Sequence, residues 1–272
     1  MNKNKRGKPF IFPDSFILVV GYIRYSFHLP YRQTEGIIKA TGKALPERSP
    51  SYGHICKRIN KLNVNINNGH EKNDDDDDDD GYIIIAIDST GIKVTNKGQW
   101  MDEKWNIQSK KKGYLKIHIA VNIKTKEILA LEVTDEKVHD GKQLKALVDH
   151  ALERNENKNY KIRTVVLADG AYDSNKNFNY LNEKRILPGI KIRKNSITST
   201  KNNKVRNSEV EGQTRDLLKW KKKRKYGQRW MAETVFSCIK RMFGEHTSAI
   251  KFQNMVKEMT IKISLYNLFR RI

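Results

Sequence analysis

Apolar residues follow a strand-like pattern between residues 81 and 136. The run GYIIIAIDSTGIKV (81–94) is rich in isoleucine and ends in a polar turn. The next run, GYLKIHIAVNIK (113–124), alternates apolar and polar positions, and EILALEVTDE (127–136) follows after a short turn. Alternation marks half-buried strands, and β-branched residues favour extended backbone. The pattern therefore predicts three consecutive strands in an antiparallel meander.

The apolar period changes after residue 136. DGKQLKALVDHALERN has helical spacing, and Asp140 is suited to cap it. A buried strand, KIRTVVLADGAYDS, ends at Asp169, and a helix, SNKNFNYLNEKR, and a strand, ILPGIKIRK, follow. Residues 195–225 are polar and basic without periodicity, and two helices, KYGQRWMAETVFSCIK and MVKEMTIKISLYNLFRRI, complete the chain. Alternating helices and strands after a meander predict an α/β fold with a mixed sheet.

Residues 31–64 have a helical pattern throughout. YRQTEGIIKATG ends at a glycine, and after a proline-containing turn SYGHICKRINKLN predicts a second helix that carries Lys57, Arg58 and Lys61. Two helices with a basic second member are typical of a helix-turn-helix, whose second helix enters the DNA major groove. Many helical pairs without this function share the pattern, so other features have to support it.

The tract NDDDDDDD (73–80) divides the sequence. Consecutive aspartates repel one another and cannot be buried, which indicates a solvated linker. We therefore predict an N-terminal helical region at 1–72, a linker at 73–80 and an α/β domain at 81–272. The alternative is an acidic tract that mimics DNA and occupies a basic groove.

The charge balance points to an anionic partner. The chain has 53 Lys and Arg against 31 Asp and Glu, a formal net charge of +22. Nucleic acid is the partner that such an excess favours, although an inert basic surface or RNA binding of the ribosomal type remains open. Cys56 and Cys238 form no CxxC motif and suit a reducing interior. The apolar run FILVVGYI is too short to span a membrane, so we expect a cytoplasmic protein.

Two aspartates follow buried-type strands, Asp88 after YIIIAI and Asp169 after RTVVLA. A bare carboxylate at such a place is costly unless it is paired, and the ends of strands are where α/β proteins build their sites. The alternative is that each aspartate caps the turn that follows it. Because both are followed by small residues, the two together favour a site.

A polar stripe lies on the predicted helix at 225–240. At about 100° per residue, Tyr226, Arg229, Glu233 and Lys240 fall within about 60° of arc, apart from the apolar face. An exposed Arg–Glu pair at this spacing is also a common surface salt bridge. Three carboxylates in a basic chain nevertheless suit Mg²⁺, which takes few carboxylates and completes its shell with water and phosphate oxygens.

These residues resemble a known family. The spacing of Tyr226, Arg229, Glu233 and Lys240 is similar to the YREK signature of the IS4/IS5 superfamily of DDE transposases. IDSTGIKV and LADGAYDS resemble the two aspartate strands of its IS5 family, and PYRQTEG (30–36) resembles its helix-turn-helix region.

The resemblance implies an RNase H-like mixed-sheet catalytic core with a small all-α helix-turn-helix region at the N-terminus. Asp88, Asp169 and Glu233 become the catalytic triad and the ligands of Mg²⁺ or Mn²⁺, with two ions expected. Arg229 and Lys240 are expected to contact DNA phosphates, and Tyr226 to pack or hydrogen-bond beside them. We also predict DNA binding by Lys57, Arg58 and Lys61 and base stacking by Trp100, whose alternative is an ordinary core or surface aromatic.

The function implied is that of a transposase of a prokaryotic insertion sequence. It would bind the terminal inverted repeats of its element, cleave phosphodiester bonds and join 3′-OH ends to target DNA, as a homodimer in the synaptic complex. We expect it at the nucleoid of a prokaryotic cell, without a membrane partner. The alternatives are another RNase H-fold nuclease of the resolvase type, or a domesticated transposase that acts as a DNA-binding regulator.

Overall fold

The computed structural model describes residues 11–41, 49–66, 82–94, 113–153, 163–194, 196–198 and 204–271. Their contacts group the chain into two compact units, one of Met1–Asn68 with Ile239–Ile272 and the other of Gly69–Cys238. The aspartate tract at 73–80 lies outside the described residues, so its role as a linker stays a prediction.

The described elements agree with most of the predicted ones. The helices are α1 (Asp14–Ser26), α2 (Tyr31–Ala40), α3 (Tyr52–Ile59), α4 (Leu144–Glu153), α5 (Asn175–Glu183), α6 (Lys204–Arg215), α7 (Leu217–Lys223), α8 (Trp230–Phe243) and α9 (Phe252–Arg271). The strands are β1 (Tyr82–Lys93), β2 (Tyr114–Asn122), β3 (Ile128–Asp135), β4 (Arg163–Ala168) and β5 (Leu187–Ile190). Short 3₁₀ helices cover Asp140–Lys142, Gly170–Tyr172 and Tyr226–Arg229.

The unit Gly69–Cys238 is built on one mixed sheet. Its strands lie in the order β3-β2-β1-β4-β5. The pairs β1–β2 and β2–β3 are antiparallel, whereas β1–β4 and β4–β5 are parallel. The predicted antiparallel meander and mixed α/β sheet are therefore confirmed, and the strand order is that of the RNase H-like core that the resemblance implies.

Helices cover the sheet through a continuous apolar cluster. Ile85 and Ile87 of β1 are fully buried in it with Leu147 of α4 and Phe178 of α5. Burial of each such side chain stabilises the fold by about 1.5–3 kcal/mol. The helix α5 begins where predicted, because the Ser174 hydroxyl accepts a hydrogen bond from the Asn177 N–H and so caps the first turn. This core fixes the two strands, β1 and β4, that carry the candidate aspartates.

The first strand is longer than predicted. Its polar sequence was expected to end it after YIIIAI, but β1 continues through Asp88 to Lys93. The antiparallel ladder with β2 continues over that polar half, as far as the pair Lys93–Tyr114. Backbone hydrogen bonds to β2 thus keep extended a segment whose side chains alone favour a turn. Asp88 lies within a strand and not at its end, which corrects the sequence prediction.

The polar segment 195–225 also forms more structure than its pattern indicates. It contains α6 and α7, which are held together by a buried carboxylate. Glu209 is 6% exposed, accepts a hydrogen bond of 2.6 Å from the Trp220 indole N–H, and pairs with Arg224. Because the residues that join these helices are polar, hydrophobic periodicity does not reveal them.

The other unit combines the N-terminal helices with the last helix. The predicted helices over 31–64 appear as α2 and α3, and α1 precedes them. The Tyr22 hydroxyl of α1 lies 2.8 Å from that of Ser264 in α9, and the Asn267 side chain donates to the Ile66 carbonyl at 3.0 Å. Contacts thus place α9 with the N-terminal helices, and the domain division at 1–72, 73–80 and 81–272 stays a prediction.

The helices of the described residues were also compared with what a membrane-spanning helix requires. No helix there has both the length and the apolar character that crossing a bilayer requires.

Candidate active site

The sheet brings two of the three candidate carboxylates to neighbouring strands. The parallel ladder of β1 and β4 ends at the pair Ala86–Leu167. Two residues beyond that pair come Asp88, which is still in β1, and Asp169, which directly follows the end of β4. Adjacent strands lie about 4.8 Å apart, so the same register places the two aspartates side by side. The sequence prediction that both contribute to one site has this geometric basis.

Asp88 is held in place on both of its oxygens. Its Oδ1 accepts a hydrogen bond of 2.9 Å from the Ser89 N–H, and its Oδ2 accepts one of 3.1 Å from Nη1 of Arg229. Burial raises the pKa of Asp88, and the charges of Asp169 and Glu233 act in the same direction. The Ser89 N–H and Arg229 oppose the rise. The net result is a carboxyl whose ionised form depends on a nearby cation.

Asp169 leaves β4 and starts a tight turn. Its Oδ1 accepts a hydrogen bond of 2.9 Å from the Ala171 N–H and so caps the 3₁₀ helix Gly170–Tyr172. The capping role that the sequence left as an alternative is therefore real. It also fixes the carboxylate beside Asp88, so capping and membership of the site occur together.

Arg229 joins the third carboxylate to the first. Its Nη2 donates a hydrogen bond of 2.7 Å to Oε1 of Glu233, while Nη1 holds Asp88. The side chain of Glu233 is 58% exposed and that of Arg229 is 22% exposed. Burial lowers the pKa of Arg229, but the negative charges around it, Asp88 foremost, leave that pKa raised. The guanidinium is therefore the positive centre of a site with three carboxylates.

The polar stripe is not on one continuous α-helix. Tyr226 to Arg229 form a 3₁₀ helix, preceded by Lys225 with a positive φ of 52°, and α8 begins only at Trp230. The arc worked out at 100° per residue therefore fails for Tyr226. The tyrosine ring instead packs on the Trp220 ring, with centroids 5.2 Å apart. Burial raises the pKa of Tyr226, which keeps its hydroxyl protonated.

The other predicted DNA contacts fare differently. Lys240 lies two turns beyond Glu233 on α8 and is half-buried, and its contact with DNA stays a prediction. Trp100 lies outside the described residues. Lys57 and Lys61 are exposed, as phosphate or base contacts require.

Arg58 differs from its predicted role. It is 7% exposed, and its Nη2 donates to the Phe12 carbonyl at 3.0 Å and to Asp14 Oδ1 at 2.6 Å. This guanidinium anchors the segment before α1 onto α3. The basic character of the sequence around it concealed an internal role, because charge alone does not show which way a helical side chain points.

The sequence missed a polar cluster beside the aspartates. His118 faces Ser89 across the β1–β2 ladder and is fully buried. Its Nε2 lies 2.9 Å from Oγ1 of Thr134 and its Nδ1 lies 3.5 Å from Oδ1 of Asp140. Asp140 in turn pairs with Lys116 at 2.6 Å. Burial lowers the pKa of His118 to about 4, so the ring is neutral at pH 7.

The Asp140 turn packs against the turn that follows Asp169. His139 caps the 3₁₀ helix of this turn by accepting a hydrogen bond from the Gly141 N–H. Asp140 was predicted to cap the α-helix that follows, but it lies within the 3₁₀ helix, and α4 begins only at Leu144. A Cβ at Gly141 would come within 2.9 Å of the Ala171 carbonyl oxygen. The Asn177 side chain donates to the carbonyls of Gly141 at 3.0 Å and Tyr172 at 2.9 Å. The turn at Asp140 and the DGAY turn after β4, which are distant in sequence, thus meet in space.

A second buried carboxylate anchors the chain after Asp169. Asp173 accepts hydrogen bonds from Nε and Nη2 of Arg206 at 2.7 and 3.1 Å, from the Arg193 N–H at 3.1 Å, and from the Ser196 hydroxyl at 2.9 Å. Burial raises the pKa of Asp173, but these partners outweigh it and leave the pKa lowered. Its position in DGAYDS, four residues after Asp169, is the sequence signal that was available for it.

The three candidate carboxylates fit a hard divalent cation by their chemistry. Mg²⁺ and Mn²⁺ prefer oxygen ligands, and Asp88, Asp169 and Glu233 supply them. As the side chains stand, the described residues contain no group of three His, Cys, Asp or Glu close enough to hold a metal ion. Arg229, between Asp88 and Glu233, occupies part of the space that such an ion would use.

Comparison with known proteins gives a consistent result. A family model described as "Transposase DDE domain" matches residues 79–268, and a second model with the same description matches residues 1–97. Among solved structures, the Mos1 mariner paired-end complex with Mn is 10% identical and has a TM-score of 0.29, with 89% of this chain and 82% of that chain covered. The Drosophila P element transposase strand transfer complex is 11% identical and has a TM-score of 0.34, with 96% and 66% covered.

Proposed function

Because the chain belongs to the transposases with a DDE domain, we propose that Asp88, Asp169 and Glu233 are the three catalytic carboxylates of this DNA transposase. Members of the family are metal-dependent nucleases and strand transferases, and the match covers every described residue of the α/β unit. The observation that carries the assignment is geometric: Asp88 lies in β1, Asp169 directly follows the adjacent strand β4, and Arg229 joins Asp88 to Glu233.

The carboxylates would hold Mg²⁺ or Mn²⁺, with two ions as the proposed number. When bound, such ions lower the pKa of the attacking water and neutralise the charge that develops on the phosphate and on the leaving oxygen. Asp88, buried and fixed on both oxygens, orients one ligand, and the cap to Ala171 orients Asp169. Glu233, the most exposed of the three, supplies a ligand on a side chain that adjusts to substrate.

The cations of the site would position DNA. Arg229 can hold a phosphate with two parallel N–H donors, as guanidinium groups do. Tyr226, protonated and packed on Trp220, would contact the backbone beside it. We propose Lys240 as a further phosphate contact. These residues would align a phosphodiester in line with its attacking oxygen, so that displacement at phosphorus needs little further movement.

The reaction would consist of two displacements at phosphorus. Water first loses a proton to the solvent and attacks the phosphate at the element end, the P–O3′ bond breaks, and the 3′-oxygen leaves as a hydroxyl with a proton from the solvent. That 3′-OH then loses its proton and attacks a phosphate of target DNA, a new P–O bond forms, and the target 3′-oxygen leaves and takes up a proton. Because both steps need the same alignment, one set of carboxylates serves both.

The partner would be double-stranded DNA, in the form of terminal inverted repeats and a target. We propose that the helices α2 and α3 recognise the repeats and that Lys57 and Lys61 contribute to this binding. We further propose an IS5-type element of a prokaryote, a homodimer in the synaptic complex, and action at the nucleoid. Support comes from the YREK spacing, the net charge of +22 and the exposure of both lysines.

Neutral variants of the triad test the proposal. Asp88→Asn, Asp169→Asn and Glu233→Gln should each abolish cleavage and joining of repeat-end DNA and leave DNA affinity near that of the wild type. Metal ligation needs the carboxylate charge, whereas affinity comes from the basic excess. Glu183→Gln, an exposed change at the end of α5, is the matched control and should leave all three measurements unchanged.

The outcomes separate the alternatives. A triad variant that cuts at the wild-type rate would remove that residue from the site. Cleavage without joining by the wild-type protein would favour a resolvase-like nuclease. DNA binding without either reaction, over a range of Mg²⁺ and Mn²⁺ concentrations, would favour a domesticated regulator.

A further inference from the structure

Arg229 has a contact that DNA binding alone does not explain. A single guanidinium spans Asp88 Oδ2 at 3.1 Å and Glu233 Oε1 at 2.7 Å. Each of these oxygens belongs to a carboxylate that the proposed function assigns to metal binding. Arg229, which would bind the DNA phosphate, is therefore paired with two of the carboxylates that would bind the metal.

We propose that Arg229 competes with divalent metal for Asp88 and Glu233, and that a DNA phosphate loads the site by drawing the guanidinium away. This inference rests on the proposed function, since it concerns how the same carboxylates acquire their metal. Arg229 then acts as a positioning residue that couples DNA binding to metal binding. The enzyme would assemble its metal centre mainly on DNA.

Electrostatics requires a cation at this place. The side chains of Asp88 and Arg229 are 17% and 22% exposed, so water screens them little. The carboxylates of Asp88 and Glu233 lie within 3.1 Å of the same guanidinium, so their negative charges are close together and repel one another. A guanidinium or a divalent ion relieves that repulsion, and like charges at such short range exclude each other. Binding of the guanidinium to these carboxylates therefore weakens the binding of a divalent ion, and the reverse also holds.

The backbone around Arg229 allows the side chain to change partners. Arg229 is the last residue of the 3₁₀ helix Tyr226–Arg229, whereas Glu233 lies in the first turn of α8. Such 3₁₀ turns are common at the ends of α-helices. Because Arg229 precedes α8, its side chain can change rotamer without breaking a hydrogen bond of that helix.

Phosphate is the ligand that would remove the guanidinium. Guanidinium groups bind phosphate and carboxylate in the same two-pronged geometry, so the two anions compete for it directly. The last turn of α7 carries Lys221, Lys222 and Lys223, close before Arg229 in the chain. Such a basic run concentrates nucleic-acid phosphate beside the site.

The inference makes a reciprocal prediction about affinities. If DNA removes Arg229 from the carboxylates, DNA must tighten metal binding by the same factor by which metal tightens DNA binding. Coupling between sites is typically about 5- to 150-fold, and we expect about tenfold here. Without DNA, Arg229→Gln should bind metal as tightly as the wild-type protein does with DNA. In this variant DNA should change the metal affinity much less than it does in the wild type.

The test is Mn²⁺ binding by the full-length protein, followed through the electron paramagnetic resonance signal of free Mn²⁺. Wild type, Arg229→Gln and Lys176→Gln are titrated with and without a short repeat-end duplex, and Mn²⁺ bound by the duplex alone is subtracted. Lys176→Gln removes one exposed positive charge from α5 and is the control. Without DNA, Arg229→Gln should bind Mn²⁺ about tenfold more tightly than wild type, and Lys176→Gln should match wild type.

Two results would overturn the proposal. One is an Arg229→Gln variant that binds Mn²⁺ no more tightly than wild type. The other is a wild-type Mn²⁺ affinity that DNA does not change; this arm needs no variant and so stands even if Arg229→Gln fails to fold. If either occurs while Asp88→Asn still abolishes cleavage, the proposed function survives and only the competition by Arg229 fails. Equal cleavage by wild type and by all three triad variants would instead reject the proposed function itself.

Discussion

The Asp173–Arg206 pair provides a measurable link between the stability of the fold and the candidate site. Asp173 is four residues after Asp169, and its side chain is 1% exposed. It fastens the chain after the Asp169 turn to α6 through Arg206 and to the segment after β5 through the Arg193 N–H. We predict that Asp173→Asn destabilises the protein strongly and also lowers the rate of cleavage, because the turn that carries Asp169 loses its anchor.

The magnitude follows from the burial of both partners. Arg206 is 14% exposed, so asparagine would leave its guanidinium largely desolvated and deprived of the charge of Asp173. Removal of one partner from a buried pair costs about 3–5 kcal/mol. In a chain of this size each kcal/mol shifts the melting temperature by about 2–4 °C. We therefore expect Tm to fall by about 6–20 °C.

Thermal unfolding followed by circular dichroism measures this effect. Arg206→Gln should destabilise the protein to a similar extent, and the double variant by less than the sum of the two, because it leaves no unpaired charge. Lys184→Gln is the control: it breaks the pair with Asp149, in which the lysine is 49% exposed, and should cost less than about 1 kcal/mol. If Asp173→Asn melts within about 2 °C of the wild type, or if the single effects simply add, the anchor does not have the importance argued here.

The same pair sets a pH dependence. The pKa of Asp173 is lowered in the folded protein, so its contribution to stability is complete above the unfolded pKa of about 3.9 and is lost as the pH falls below that value through the folded pKa. Unfolding measured between pH 5 and pH 2.5 should therefore lose less stability in Asp173→Asn than in the wild type. An identical acid limb for both proteins would contradict the assignment.

Other expected outcomes can be measured on the same preparations. Because the pKa of His118 is lowered to about 4, stability should fall as the pH drops from about 6.5 towards 4, and His118→Gln should flatten that decline in a pH series of melting curves. Lys57→Ala and Lys61→Ala should each weaken DNA binding and reduce the slope of log affinity against log salt by about 1 in fluorescence anisotropy titrations, whereas a double variant with an unchanged slope would remove these lysines from the interface. Arg58→Ala should instead lower Tm by several degrees, because its contacts are internal; an unchanged Tm with weakened DNA binding would restore its predicted role. DNA affinity of the wild type should decrease steeply between about 50 and 200 mM salt, and a flat profile would contradict the electrostatic interpretation of the +22 charge.

The sheet was predictable because its strands are defined by local apolar patterns. The run that became β2 alternates, β3 opens on consecutive apolar residues, and β4 is a short apolar run bounded by polar residues. Those patterns also placed Asp169 correctly at the end of a strand. The position of Asp88 was not predictable in the same way, because the pairing with β2 that extends β1 is an interaction between segments distant in sequence.

The elements that the sequence missed are stabilised by buried polar residues. The helices α6 and α7 meet through Glu209, and the Gln213 side chain donates to the Ile190 carbonyl at 2.9 Å. A periodicity argument counts such residues as surface and so predicts a loop. Sequence patterns failed for Arg58 in the same way: its charge suggested contact with DNA, but its side chain is buried in the structure.

The candidate site itself depends on both kinds of interaction. Asp88 is positioned by a sheet ladder, whereas Asp169 and Arg229 stand at 3₁₀ turns that no strand holds. Burial of polar groups costs free energy unless they are hydrogen-bonded, so the polar groups at these turns need hydrogen-bond partners to stay in place. Asn177 ties the Asp169 turn to its neighbour, and Glu209, through Trp220, supports the ring on which Tyr226 packs. Apolar packing therefore determines the scaffold, and buried polar contacts determine where its reactive groups point.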